Sequence, residues 1–266
     1  MASEIFVLGR YVPGTSPVHR MDPRVKLGLT ALAMVALFAV ASQNYPGLAV
    51  CALFVLAFYA LSGISVQAAF KSIGPLLFLV VFVALMDILF WEEGTVLARW
   101  WIFCISTGGL WHALFVSCRL TLLLLVVSLL TLTTPTLDIT EAIERILRPL
   151  RRFGVPAHEL GMMMAIALRF LPQFVNEMGI IYRAQISRGA TVSKGRVRML
   201  SSLVVPLFTS AFRHADTLSS AMEARCYHGG EGRSRLHELR CARLDAVGLA
   251  VVAAMVVCVV VANLMM

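Results

Sequence analysis

Charge is scarce in this chain: 14% of its 266 residues are Asp, Glu, Lys or Arg, against 59% hydrophobic residues and a mean hydropathy of +0.83. So small a polar supply excludes an ordinary soluble domain, whose single core could not hide that much apolar surface, and puts the protein in a bilayer. The six cysteines (51, 104, 118, 226, 241 and 258) include no CxxC pair, and three lie within apolar runs. That spacing suggests neither a zinc site nor a disulfide framework, and fits small packing residues. No GxxxxGK[ST] phosphate loop occurs, so the chain shows no means of hydrolysing ATP. The N-terminal MASEIFVLGRYVPGTSPVHRMDPR lacks the basic, apolar and cleavage regions of a signal peptide in their usual order. Insertion is therefore expected to be directed by the first span.

What is present is long apolar runs. Five are long enough to cross roughly 30 Å of hydrocarbon, which takes about 20 helical residues: Val25 to Ala41, Gly47 to Val66, Ile73 to Phe90, Gly108 to Thr133 and Leu244 to Met265. With the N-terminus in the cytoplasm, Arg99 is the one basic residue in the outer loops and Arg119 lies within a span. All the other Lys and Arg residues then face the cytoplasm, as the positive-inside rule requires. Trp91, Trp100 and Trp101 bracket the outer loop at headgroup level. The net charge of +8 thus reflects topology, with anionic lipid as a contact and no need of nucleic acid.

The expected architecture is an all-α integral membrane protein: residues 1–136 with four spans, a basic cytoplasmic helical block at 137–243, and a last span at 244–266. The block opens with LDITEAIERILRPLRRFG, whose Asp138, Glu141 and Glu144 precede Arg148, Arg151 and Arg152 in the order the helix dipole favours, with Pro149 bending or stopping it. The segment around Leu160 to Ile181 resembles a sixth span by hydropathy alone. On a helical wheel, however, Glu159, Arg169, Gln173, Asn176, Glu177 and Arg183 form a polar stripe, opposite Leu168, Phe170, Leu171, Phe174, Val175, Met178 and Ile181. Central charges cost about 2.5–3.5 kcal/mol each in a span. The segment is therefore expected to be an amphipathic helix at or below the membrane surface, kinked at Pro172. A third helix, Arg196 to Arg225, carries Pro206 and a similar pattern. The apolar faces of the last two need covering by each other, by the spans or by partners.

Both helices end alike, with Ser187-Arg188-Gly189 and Ala224-Arg225-Cys226. One reading is a plain C-cap, in which an arginine of the last turn meets unpaired carbonyls and Gly189 takes the left-handed turn. The other is docking: small flanking residues let a partner approach a guanidinium fork suited to a carboxylate-lined groove, twice over. Arg119, deep in the fourth span, is expected to make a buried structural contact, and Asp87 lies too near the outer end of its own span to be an easy match. His112 fits a satisfied interfacial histidine. Met162, Met163, Met164, Met178 and Met222 fit packing or an adaptable coupling surface. His19, Arg20, Asp22 and Arg24 in SPVHRMDPR are either a juxtamembrane anchor or a clasp onto the cytoplasmic helices.

The chain resembles the transmembrane coupling subunit, the T component, of energy-coupling factor (ECF) transporters, which are ABC-type vitamin and metal-ion importers. The resemblance rests on GRYVPGTSPVHRMDPRVKL, Arg119, TTP at 133–135, RPL at 148–150, LRFLP at 168–172, AQISRG and MEARC, and covers nearly the whole chain. It implies a non-enzymatic subunit of a bacterial or archaeal cytoplasmic membrane, without a cofactor of its own. Its partners would be two cytoplasmic ABC ATPases and a separate substrate-binding membrane subunit, the S component. It also implies that Arg188 and Arg225, flanked by Ser187 and Gly189 and by Ala224 and Cys226, dock the ATPases. Arg119, Arg169, Pro172, Gln185 and Glu223 are structural or coupling candidates. Cys226 departs from the usual glycine and puts the second turn in question, with Gly229 as a substitute terminator. Two competing functions are an intramembrane enzyme, for which the candidate groups deeper in the spans are His112, Arg119 and Asp87, and a substrate-binding permease subunit.

Overall fold

The computed structural model describes residues 11–91, 95–100, 103–147, 149, 153–154, 156–189, 196–229 and 243–264. Gly9, Arg10, Trp101, Arg148, Leu150, Arg151, Arg152, Gly230 and Cys241 of the motifs above lie outside them, as do the side chains of Arg99 and Cys104. The described elements are α1 (Pro23–Ala39), α2 (Tyr45–Ser62), α3 (Val66–Phe90), β1 (Val96–Trp100), β2 (Phe103–Ser106), α4 (Thr107–Thr133), α5 (Thr136–Leu147), α6 (Ala157–Ser187), α7 (Arg196–Ala224) and α8 (Arg243–Leu264).

Local chemistry starts each of the first four helices. Asp22 caps α1, accepting from the Arg24 amide at 2.9 Å with Pro23 in the first turn; Asn44 accepts from the Gly47 amide at 2.9 Å, Ser65 from Ala68 at 3.3 Å and Ser106 from Gly109 at 3.0 Å. Each cap satisfies an amide that the helix itself leaves unpaired. Among the described residues, four helices are long and apolar enough to cross a membrane: α2, α3 from Gln67, α4, and α8 from Leu244. The first expected span, Val25 to Ala41, becomes α1 two residues earlier and at the same length; its 17 residues rise only about 25 Å, at the lower limit for crossing. The expected outer loop instead holds a two-stranded antiparallel hairpin, with Arg99 opposite Cys104 and Trp100 opposite Phe103. This small addition leaves the molecule an all-helical membrane protein in class.

The chain divides into two compact units. The membrane unit comprises Gly9–Ala142 and Glu238–Met266. In it α1, α2, α4 and α8 pack together, and α3 leans on α4 and β2. Its core is centred on Leu37, Cys51, Phe115, Met255 and Val259. The other unit, Ile143–His237, holds the end of α5 with α6 and α7 and is called the coupling unit after the role that the resemblance implies for it. Here α5 ends at Leu147, two residues before Pro149, shorter than a helix running towards Gly154. In contrast, α6 runs unbroken through Pro172, and α7 through Pro206.

Candidate functional site

The two arginine endings share one backbone device. In α6, Arg188 is the C-cap residue and Gly189 follows at φ +80°, its amide donating to the Ile186 carbonyl at 2.9 Å. In α7, Arg225 takes the same place and Cys226 follows at φ +54°; Cys226 donates to the Glu223 carbonyl at 2.9 Å and Tyr227 to the Met222 carbonyl at 3.1 Å. That pair of crossed bonds is the Schellman arrangement. Cysteine therefore makes the left-handed turn that glycine makes in the first copy. Gly229 adopts φ +91° as well, but it does not terminate the helix. For an L-residue that conformation costs roughly 1–2 kcal/mol. Ser187, Arg188, Gly189, Glu223, Ala224, Arg225 and Cys226 are all exposed. Among the described residues neither guanidinium has a hydrogen-bond or ion-pair partner, so the backbone closes these helices and the arginines are left over.

Three contacts between α6 and α7 fix where those endings stand. The Gln173 amide nitrogen lies 3.2 Å from Nε2 of His214, Ser210 Oγ donates to Glu177 Oε1, and Gln185 Nε2 donates to the Ser202 carbonyl at 3.4 Å. Residue numbers rise along α6 as they fall along α7, so the helices are antiparallel in constant register. Extended along α7, that register sets Arg188 beside the start of α7 and Arg225 at the opposite end of the pair. About 26 residues of α7 separate the two levels, roughly 39 Å at about 1.5 Å per residue. The duplicated motif thus presents two outward cations at the two ends of one helical rod.

The same contacts correct the wheel-based picture. Part of the polar stripe, Gln173 and Glu177, lies between the helices, and His214 is flanked by Phe170 and Phe174 with ring centroids 5.9 and 6.0 Å away. Glu177 Oε2 is 3.6 Å from His214 Nε2. The expected apolar faces are covered only in part: Leu168, Phe170, Leu171, Phe174, Val175 and Ile181 are half-buried, whereas Met163, Met178, Ile180, Ile186, Leu200, Val205, Phe208 (60% exposed) and Phe212 (68%) stand open. Arg169 and Pro172 are exposed on α6, and Gln185 is half-buried. Sequence reasoning missed Ser210 and His214, because their place depends on the interhelical register. The Glu177–Ser210–His214 cluster is no nucleophilic triad, since the carboxylate rather than the imidazole sits in the middle.

In the membrane unit Arg119 finds its partner. It donates to the Val40 carbonyl just beyond α1 and lies 4.7 Å from the Phe115 ring centroid. Asn263 of α8 completes that cap, donating to Ala39 at 2.7 Å and accepting from Ala41 and from Asn44 Nδ2 at 3.2 and 2.8 Å. A cation and an amide so placed meet the negative end of α1 and satisfy carbonyls that lipid cannot. His112 stacks on Trp91 at 3.7 Å between centroids and lies 3.6 Å from Asp87. His112, Arg119 and Asp87 are thereby engaged in packing.

The sequence model of the CbiQ family, described as "Cobalt transport protein", matches residues 14–237. The chain is 44% identical over 242 residues to the "Energy-coupling factor transporter transmembrane protein EcfT" of Thermosediminibacter oceani, covering 90% of each chain. Proteins of the same name from Ruminiclostridium cellulolyticum and Bacillus subtilis are similar at 43% over 242 residues (90% of each chain) and 40% over 237 residues (88% of this chain and 89% of the relative).

Proposed function

The chain belongs to the CbiQ and EcfT family, the transmembrane energy-coupling components of energy-coupling factor transporters, and from that premise we propose that its two arginine helix ends dock two cytoplasmic ABC ATPases. It is a transporter component rather than an enzyme. In the proposed assembly the ATPases supply the energy, a task left to partners by a sequence that carries no phosphate loop. The coupling unit relays their closure to a separate small membrane subunit that carries a vitamin or metal ion. The N-terminus and the coupling unit face the cytoplasm, on the basic-residue asymmetry described above.

One observation carries this reading: two unpartnered, exposed guanidinium groups at opposite ends of one antiparallel helix pair, each on the same turn. A single cap arginine would need no such duplication, and a fork of five donors suits a carboxylate-bearing groove. The bare apolar residues of α6 and α7 supply a second contact surface, since apolar patches of that extent mark interfaces. Replacing Arg188 and Arg225 together by Glu is expected to abolish co-purification of the ATPases and uptake while leaving membrane insertion intact. If the double variant retains its ATPases and transports normally, the docking assignment fails.

A further inference from the structure

One cluster in the membrane unit has no part in the docking reading. Lys26 is 6% exposed, yet among the described residues no carboxylate is hydrogen-bonded to it. Its ammonium donates to the His19 carbonyl at 3.1 Å, the Thr133 carbonyl at 3.3 Å and Thr134 Oγ1 at 3.4 Å, one acceptor for each of its three protons. The Val12 amide donates to the Leu132 carbonyl at 3.0 Å. The His19 ring braces the same segment, with its nitrogens 2.6 Å from Ser16 Oγ and 3.0 Å from the Val12 carbonyl. The Asp22 amide donates to Asp245 Oδ1 at 2.8 Å, and Met21 fills the space that a side chain at Gly248 would need.

These bonds are not spread over the unit. Leu132, Thr133 and Thr134 are the end of α4, where the chain passes through Pro135 into α5 and so towards the coupling unit. Asp245 lies in the first turn of α8, where the chain has returned. Residues 11–26 therefore bind the end of α4 and the start of α8, the elements of the membrane unit that precede and follow residues 143–237 along the chain. A buried ammonium against the C-terminal carbonyls of α4 also complements that helix's dipole, and its burial makes the arrangement intolerant of partial loosening.

We propose that this N-terminal clasp, centred on Lys26 and His19, is a positioning element for energy coupling: it holds the end of α4 and the start of α8 rigid, so that displacement of the coupling unit reaches the membrane helices instead of dissipating at a loose α4–α5 joint. The proposal rests on the functional reading above and adds residues that the docking motifs do not include.

The test uses the complex co-purified with its ATPases in lipid nanodiscs, with nitroxides on non-natural residues in place of Thr131 and Ile146, which are exposed on α4 and α5. The unaltered chain should give one narrow distance distribution that shifts on addition of ATP. Lys26→Met is expected to broaden it about twofold and to shrink the ATP-driven shift about threefold, with ATP hydrolysis held within about twofold. His19→Ala should broaden it less, and its half-exposed place outside the core keeps the test open if Lys26→Met does not accumulate. Asn263→Ala breaks a comparable network at the other end of α1 and should leave both readouts unchanged, which separates positioning from general stability. An unbroadened distribution in His19→Ala and Lys26→Met, or equal broadening in Asn263→Ala, overturns the clasp. Loss of ATPase co-purification on replacing Lys26 would overturn it as well, whereas its survival in the Arg188→Glu, Arg225→Glu chain would count against the docking reading alone.

Discussion

The membrane unit and the coupling unit solve opposite problems with the same kind of helix. Around Leu37, Cys51, Phe115 and Val259 the membrane unit has a closed core with polar networks at both ends of α1. The coupling unit has two helices of 31 and 29 residues, yet among its described residues only Gly161 is buried. That glycine lets the Glu144 side chain approach, since any Cβ there would overlap the carboxyl group. A unit that buries so little on its own is held by a thin line of polar contacts, and its apolar faces are available to other chains. A closed core belongs to one half of the molecule and open helix faces to the other.

The sharpest way to break this contrast is in the core. Phe115→Ala removes a ring that is 1% exposed and packs edge-on against Tyr45 at 5.6 Å, and should lower stability by about 3 kcal/mol, the lower end of the usual range because lipid replaces water outside. Denaturant titration of the chain in micelles reads this; a change below about 1 kcal/mol would mean that the unit is looser than its packing indicates. Next, Arg119→Met should cost about 2 kcal/mol by leaving the Val40 carbonyl without its donor in an apolar setting, measured in the same titration. A neutral result would return Arg119 to the coupling candidates.

Smaller effects probe the other half. Cys226→Gly should stabilise the end of α7 by about 1 kcal/mol, and Gly189→Ala should destabilise the end of α6 by about the same, because each changes the residue at a positive φ. Amide exchange over the last turns would detect both, and opposite signs at equivalent turns are the diagnostic. Least of all, Phe208→Ser with Phe212→Ser should move the stability of the chain alone by no more than about 0.5 kcal/mol, since both rings are already exposed. The same pair should weaken association with partner subunits, read by co-purification. If instead the isolated chain unfolds, those rings belong to a core after all.

Much of this was legible in the order of residues alone. Hydropathy sufficed for α2, α3, α4 and α8, because crossing hydrocarbon is a property of a single run of residues. The polar stripe on Glu159–Arg183 set α6 apart, and α6 is not among the described helices long and apolar enough to cross a membrane; the Ser-Arg-Gly and Ala-Arg-Cys endings fell where both helices stop. The contacts of Gln173 and Glu177 with α7 were not legible, since they need the register against His214 and Ser210. Nor was the hairpin, whose strands are only five and four residues long.

Sequence by itself determined the elements that depend on neighbours along the chain: spans, caps, and helix ends with a cation left over. Only the tertiary structure decided which distant groups complete one another: Arg119 with the end of α1, Asn263 with Asn44, Lys26 with the end of α4. The reason is physical. A helix is chosen by bonds that reach four residues, whereas a buried polar group in an apolar medium must find its partner wherever the packing brings one within about 3 Å.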